Sequence, residues 1–470
     1  MIGLREESRP SMRRDYAIIL PDRGYPVMLF RSRLASLMSH TIFLRVALFI
    51  SLAVAAAGCN SATPPPPLEA TDVGARTPTP TVEPTPTESL VRLGLWMPES
   101  LAPIGASRAD ALLRAQIAEF DDNQPEITLV VSAKKDRGPG GLLDLLRAAS
   151  PVAPAALPDV ILLSDADLAI AAREGLIQPL DESFDPQIES RLFPFARNAA
   201  YIDGKRMGVP LAVDFDHLAL DVGQLNARLL AWPDVISATV PYLFSFSDAG
   251  HVSDGVLADY AALGGTIINA EGQPALTPEA LTQLLTLYRD AKTAGVILPD
   301  SLDWTDLEMA WSAFRRGESP LVRVNASRYL AARASGSNLD FAPSLLVGDR
   351  AVSPIGRSWN LAVVTPDPRR TALAVALMAH LTEPDRSAAW TQARGILPAR
   401  IDALEQWNLS ASYATFARGE LSRASPPPSP AALEAISPAF LAAIRDVLTG
   451  RASPPAAATS AVEAVARGGN

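Results

Sequence analysis

Cysteine is nearly absent from this chain, since Cys59 is the only one among 470 residues. No disulfide can therefore form within the chain. A protein that lacks disulfides depends for its stability on the size of its apolar core, and 48% of the residues are hydrophobic. What remains after residue 89 is long enough for two domains, each with a sizeable core.

Histidine and the motifs of common enzyme classes are also scarce. The chain has four histidines, at positions 40, 217, 251 and 380. It contains no His-Glu-x-x-His, no Gly-x-Ser-x-Gly, no phosphate loop and no Gly-x-Gly-x-x-Gly sequence. These absences argue against an enzyme and against a metal or cofactor. Paired carboxylates that act on a glycosidic bond remain open, because any two of them can meet in the fold.

Positive charge is in deficit, with a formal net charge of -10. The first 59 residues hold eight arginines against four acidic residues, so the rest of the chain is more acidic still, at about -14. A surface of this sign argues against nucleic acid or an anionic membrane surface as a partner.

The single cysteine stands at the end of an apolar run. Arg31, Arg33 and Arg45 precede the apolar residues 46–57, and the string AAGC ends at Cys59. A basic segment, an apolar core and small residues before the cleavage site form an export signal. The AAGC ending resembles a bacterial lipobox, whose cysteine is lipidated and becomes residue one. Residues 1–59 are thus predicted to be a leader and lipoprotein signal peptide, and the mature protein to be anchored through Cys59 to the outer face of the cell membrane.

An uncleaved transmembrane anchor is the alternative for this segment. Its uninterrupted apolar core, residues 46–58, is shorter than the ~20 residues that span a bilayer. Residues 1–37 contain four acidic side chains, which do not suit a signal peptide, so Met28 and Met38 are alternative starts. Residues 60–89 are rich in proline and threonine and are predicted to form a semi-rigid linker that reaches on the order of 90 Å.

The region after the linker alternates between strand and helix patterns. Apolar runs at 90–96, 125–131 and 158–163 predict strands, and the periodicity of 109–120 and 141–149 predicts helices. Further helices are expected at 168–174, 277–294, 307–315 and 372–381, and a strand at 361–364. This alternation indicates a mostly parallel α/β sheet.

Several strings in this region resemble one family in its own order. PDVILLSDADLAIAAREGLIQPLD at 158–181 and YIDGKRMGVPL at 201–211 are similar to a strand, helix and turn of the extracellular solute-binding proteins of ABC importers, the large sugar-binding type, family 1. GGTIINAEG at 264–272, WSAFRRG at 311–317, GILPA at 395–399 and the helical residues 442–467 also look like family landmarks. LALD at 218–221 departs from the family, which has an aromatic pair and an asparagine there.

The resemblance implies an α/β, two-lobed periplasmic-binding-protein-like fold of type II, with the solute in a cleft between the lobes. Lobe 1 is expected to comprise residues 90–212 and about 318–360. Lobe 2 is expected to comprise 213–317 and about 361–450, followed by a C-terminal helix and tail at 451–470. The implied partners are a small solute, most simply a sugar, and the permease subunits of an ABC transporter, and the protein is expected to be a monomer.

Sugar sites combine aromatic faces with carboxylates, amides and arginine, so such residues at strand ends are candidates. Trp96 ends the first predicted strand, and Asp165 follows the third; Asp167 either binds ligand or caps the next helix. Asp214 and Phe215 belong to the string DFDH, where the chain is expected to cross between lobes. The alternative for DFDH is a solvated interlobe loop with His217 packed locally.

The remaining candidates lie later in the chain, between residues 304 and 359. Trp304 precedes a helix that Thr305 or Asp306 is expected to cap, and it either stacks on ligand or covers the helix start. Arg357 and Trp359 lead into a strand that the family often turns toward the cleft. Arg323 lies within an apolar string and needs a carboxylate partner, in the cleft or elsewhere.

The predicted function is a membrane-anchored solute-binding protein that delivers a small solute, most simply a carbohydrate, to an ABC transporter. The alternative is a lipoprotein that senses its ligand without transport, or one that has lost binding. The missing family aromatics and an aromatic fraction of 6% give this alternative some weight.

Overall fold

The computed structural model describes residues 91–180, 186–225, 229–408 and 410–468. Cys59, the signal peptide and the linker at 60–89 lie outside the described residues. Within the described ranges, no helix has the length and apolar character needed to cross a bilayer.

The strands of the described residues are numbered in chain order. They are β1 (Val91–Pro98), β2 (Ile127–Lys134), β3 (Val160–Ser164), β4 (Tyr201–Ile202), β5 (Lys205–Arg206), β6 (Val209–Asp221), β7 (Ser247–Asp248), β8 (His251–Val252), β9 (Leu321–Asn325), β10 (Leu339–Ala342), β11 (Gly356–Val363) and β12 (Leu397–Pro398).

The helices of the same ranges include two short 3₁₀ segments, Pro154–Ala156 and Pro299–Asp303. The α-helices are α1 (Arg108–Asp122), α2 (Leu142–Ala149), α3 (Asp165–Arg173), α4 (Pro186–Glu189), α5 (Pro194–Ala199), α6 (Trp232–Ala238), α7 (Asp254–Ala262), α8 (Pro278–Thr293), α9 (Leu307–Arg315), α10 (Ala326–Ala334), α11 (Pro368–Leu381), α12 (Pro384–Arg394), α13 (Ile401–Leu404), α14 (Ala411–Arg423), α15 (Pro430–Leu448) and α16 (Pro454–Gly468).

The first three strands form the predicted parallel arrangement. β1 pairs in parallel with β2 on one side and with β3 on the other. The first four residues of β3 are at most 1% exposed, as expected for a strand covered on both faces by helices. The rest of the sheet differs from the mostly parallel prediction, because β11 runs antiparallel to both β3 and β6.

Strand β6 connects the two halves of the sheet. Its first half pairs with β11, between Val209↔Leu361 and Phe215↔Gly356. Its second half pairs with β9 and β10. The string DFDH therefore lies inside a 13-residue strand and not in an interlobe loop. At β6 the chain therefore crosses between the lobes as a continuous, hydrogen-bonded strand.

The apolar cores divide the molecule into two lobes. One core joins β1, β2, β3 and β11 to helices α1, α11 and α12. Another joins α6, α7, α8, α15 and α16 beside the end of β6. A third lies along β6 and packs α5, α9, α10 and α14. Each lobe thus has a core of its own. Strand β6 contributes side chains to all three of the cores described here.

The packing of residues 318–396 differs from the predicted lobe boundaries. Leu345 and Val352 lie in the core of α7 and α8, although 318–360 was predicted to return to lobe 1. Leu377 and Trp390 pack against β1 and β3, although 361–450 was predicted for lobe 2. We infer from these contacts that the chain returns to lobe 1 only at β11 and stays there through α12.

Candidate functional site

A cavity of about 780 Å³ lies where β6 and β11 meet the starts of several helices. Its walls come from both lobes: the start of α3 on one side, and β7, β8 and the starts of α7, α9 and α15 on the other. Among the described residues, nine acidic residues and two arginines border it. The cavity is large enough for a small-molecule ligand, and its wall is strongly acidic.

Two carboxylates of β6 form its floor. Asp214 and Asp216 are two residues apart on one strand, so both side chains point to the same face. Asp214 accepts hydrogen bonds from the hydroxyl and the N–H of Ser327, the latter at 3.2 Å. Burial raises the pKa of Asp214 to about 6. The side chain of Asp216 makes no hydrogen bond or ion pair with the described residues, and burial together with the charge of Asp254 raises its pKa to about 7.

Arg357 connects the two walls of the cavity. Its Nε donates to Oδ2 of Asp254 at 2.6 Å, and a second guanidinium nitrogen contacts the other carboxylate oxygen. Its Nη1 lies 3.6 Å from Oδ1 of Asp165, at the start of α3. Asp165 is 5% exposed and accepts the N–H of Ser358 at 2.9 Å. Burial raises the pKa of Asp165, and the nearby guanidinium opposes that rise.

Trp359 supplies an aromatic surface to the cavity. It lies two residues beyond Arg357 on β11, so both side chains share one face of the strand. The indole is partly exposed and packs against the core of lobe 1. Phe215 also borders the cavity, but it is 1% exposed and its ring packs against His217 and Phe416. Of these two rings, that of Trp359 is thus the one that a ligand can reach.

Asp167 borders the cavity and does not cap the helix that follows. The N-cap of α3 is Ser164, not Asp167 as the capping alternative proposed, and its hydroxyl accepts the N–H of Asp167 at 3.2 Å. At α9 the predicted cap is confirmed, since Asp306 accepts the N–H of Met309 at 3.0 Å.

Trp96 and Trp304 lie outside the cavity wall. Trp96 packs in the core below α3, with the Lys134 ammonium 4.9 Å from the centre of its ring. Trp304 is 6% exposed, and its carbonyl accepts hydrogen bonds from the hydroxyls of Ser245 and Ser247, both at 3.0 Å. The structure thus places both indoles in packing positions.

Arg323 also lies outside the wall, below the cavity floor. It is 1% exposed and pairs with the fully buried Asp259 at 3.1 Å. Nε and Nη1 of Arg323 have no hydrogen-bond partner among the described residues. The guanidinium fills the space beside Gly255, where an added Cβ would lie 1.8 Å from Nη1. The carboxylate partner that the sequence required is therefore a structural one.

His217 packs locally, as one reading of the sequence proposed. It is fully buried, its Nε2 lies 3.2 Å from the hydroxyl of Tyr413, and burial lowers its pKa to about 4. Within the described ranges, no group of three or more His, Cys, Asp or Glu side chains is arranged to hold a metal ion.

Several lining residues were not selected from the sequence. Asp254 begins α7. Asn325 ends β9, and Ser327 is the second residue of α10. Asp216 was noted within DFDH but not selected. The spacing of the two aspartates in DFDH could have identified Asp216, because a strand there places both carboxylates on one face.

Comparisons with known proteins agree with this geometry. A family model described as bacterial extracellular solute-binding protein matches residues 115–416. The cyclic alpha-maltosyl-1,6-maltose binding protein from Arthrobacter globiformis aligns with a TM-score of 0.66 at 17% identity, over 81% of this chain and 99% of that one. The GacH receptor of Streptomyces glaucescens GLA.O, described unliganded and with acarbose, gives 0.62 at 17% identity, over 81% and 98%.

The maltotriose binding protein of Thermus thermophilus gives a TM-score of 0.60 at 14% identity, over 80% of this chain and 99% of that one. At these identities the likeness establishes the two-lobed fold. No curated protein shows a significant sequence match.

Proposed function

Because the chain belongs to the family of bacterial extracellular solute-binding proteins, we propose that it captures a small solute in the cavity between its lobes and delivers it to the permease of an ABC importer. A carbohydrate is the solute class that we propose first, since the similar structures named above bind maltose-type sugars or acarbose. Membership of the family implies export, and the proposal includes no catalytic step.

The observation that carries the proposal is the cavity of about 780 Å³ with walls from both lobes. Relative motion of two lobes about a few connecting segments encloses a ligand and changes the outline presented to a partner. The connections at β6 and at the start of β11 lie at the cavity floor. A solute bound at that position would therefore contact the segments that join the lobes directly.

Replacement of Trp359 by alanine tests the site. Loss of the reachable aromatic face should weaken binding of a sugar at least about tenfold, or ~1.4 kcal/mol. Calorimetric titration against a panel of mono- and oligosaccharides measures the affinity, and a cooperative thermal transition verifies that the variant is folded. Trp96→Phe, in a packed position, serves as the control and should leave affinity unchanged. Unaltered affinity of the folded Trp359→Ala protein would contradict the role of this side chain.

We further propose that Cys59 is lipidated and tethers the protein to the membrane. The AAGC string at the end of an apolar run supports this proposal. Cys59→Ser should shift the protein from the membrane fraction to the soluble fraction after cell fractionation. Solute affinity should stay unchanged because the cavity lies in the folded part. A variant that remains in the membrane fraction would argue for an uncleaved anchor instead.

A further inference from the structure

The cavity holds more negative charge than its own cations can balance. Nine acidic residues and two arginines border it among the described residues. Arg357 is already engaged by Asp165 and Asp254. Arg137, the other cation, is an exposed residue of the loop after β2. Most of the acidic side chains are therefore not matched by a positive charge of the protein.

Some of these carboxylates have a structural partner, and others have none. Asp306 caps its own helix, and Glu308 pairs with an arginine of α10. The side chains of Asp216, Asp248 and Glu434, by contrast, make no hydrogen bond or ion pair with any residue that the structure describes, and those of Asp248 and Glu434 are exposed. They come from three different elements: β6 at the cavity floor, and β7 and α15 on the wall opposite α3.

Asp216 is the most informative of the three. It lies on the floor, between the acidic Asp214 and the Asp254 that begins α7. A carboxylate withdrawn from water is unfavourable unless a counter-charge accompanies it. The nearest guanidiniums, Arg357 and Arg323, are held by other aspartates. The floor thus offers a carboxyl group whose side chain has no hydrogen-bond or ion-pair partner among the described residues.

We infer that the solute bound in this cavity carries at least one protonated amine, which pairs with Asp216 while the body of the solute lies against Trp359. This inference rests on the proposed binding function. Hydroxyl groups of a neutral sugar can donate hydrogen bonds to the carboxylates but leave their charge uncompensated. An ammonium group both donates and neutralises, and an indole face attracts cations as well as sugar C–H surfaces. An amino sugar offers an ammonium group to Asp216 and a C–H surface to the indole of Trp359.

Matched trisaccharides test the inference. Calorimetric titration of the purified full-length protein compares the glucosamine trimer, its fully N-acetylated counterpart, maltotriose and spermidine. The glucosamine trimer should bind at least about tenfold more tightly than the N-acetylated trimer, which has the same rings without the charge. Its affinity should fall as the salt concentration rises, because ions screen the pair.

Asp216→Asn keeps the shape of the side chain and removes the charge. It should lower the affinity for the glucosamine trimer about tenfold or more and leave that for the N-acetylated trimer nearly unchanged. Glu271→Gln, at an exposed position outside the cavity, is the matched control and should alter neither affinity. If Asp216→Asn fails to fold, Asp248→Asn provides the same comparison from the β7 wall.

Each outcome separates the inference from the function on which it rests. Equal binding of charged and acetylated trimers, or binding of maltotriose alone, overturns the inference and leaves the proposed function standing. Spermidine binding as tight as the glucosamine trimer supports recognition of the amine and rejects the carbohydrate. Failure of every probe to bind would contradict both the inference and the proposed carbohydrate function.

Discussion

Replacing Asp259 with leucine should lower the free energy of unfolding by about 3–5 kcal/mol, the usual effect of removing one member of a buried ion pair. Arg323 and Asp259 are 1% and 0% exposed, and two guanidinium nitrogens already lack a hydrogen-bond partner in the part of the chain that the structure describes. Without Asp259 the guanidinium would remain buried and uncompensated. Urea unfolding measured by circular dichroism determines the difference from the unmodified protein.

A double replacement and a surface pair serve as controls. Asp259→Leu with Arg323→Met removes both charges and should be less destabilising than Asp259→Leu alone, because no unpaired charge is left. Glu318→Gln breaks the exposed pair with Arg316 and should change stability by less than about 1 kcal/mol. If Asp259→Leu unfolds at the same urea concentration as the unmodified protein, the pair contributes nothing and the argument fails.

Arg357→Met should lower stability by about 1–3 kcal/mol at pH 8, because buried acceptors lose their charged donor. Asp165 would keep the N–H of Ser358 but lose the guanidinium that opposes the effect of burial on its pKa. The pKa of this carboxyl should therefore rise further in the folded variant. A raised folded pKa means that the folded state binds protons more readily than the unfolded state, so stability is lost as pH rises.

The destabilisation of Arg357→Met should consequently be smaller at pH 5 than at pH 8. Unfolding at both pH values, with the unmodified protein in parallel, measures the difference. Arg369→Met removes an exposed arginine that pairs with Glu126, and its small effect should be independent of pH in this range. A pH-independent loss in Arg357→Met would mean that packing of the arginine, and not its charge, stabilises the cavity.

Local elements were largely predictable from the sequence because their signals are local. The strand at 158–163 and the helix at 307–315 are found as Val160–Ser164 and Leu307–Arg315. Apolar runs, helical periodicity and a capping aspartate suffice to identify such elements. Strand β6 was recognised only in part. Its proline, Pro210, and its polar string DFDH are typical of a loop, and only pairing with distant strands makes it a strand.

The site was predictable where a polar or aromatic residue follows or belongs to a predicted strand, and not where distant packing decides. Asp165 directly follows β3, whereas Asp214 and Trp359 lie within β6 and β11, and all three border the cavity. The orientation of Trp96 and Trp304 depends on which core covers them, and local sequence does not determine that. Arg323 needed a carboxylate, but its partner Asp259 lies 64 residues away on a helix of another segment. Contacts of such sequence separation appear only when the whole fold is assembled.

The continuous strand β6 has a consequence for how the molecule unfolds. Its 13 residues pair with β11 at one end and with β9 and β10 at the other, and its side chains enter the cores of both lobes. Neither lobe can lose its structure without withdrawing backbone hydrogen bonds and core side chains from the other. We therefore expect the two lobes to unfold as one cooperative unit, so that spectroscopic probes in lobe 1 should detect the loss of the Asp259 pair as fully as probes in lobe 2.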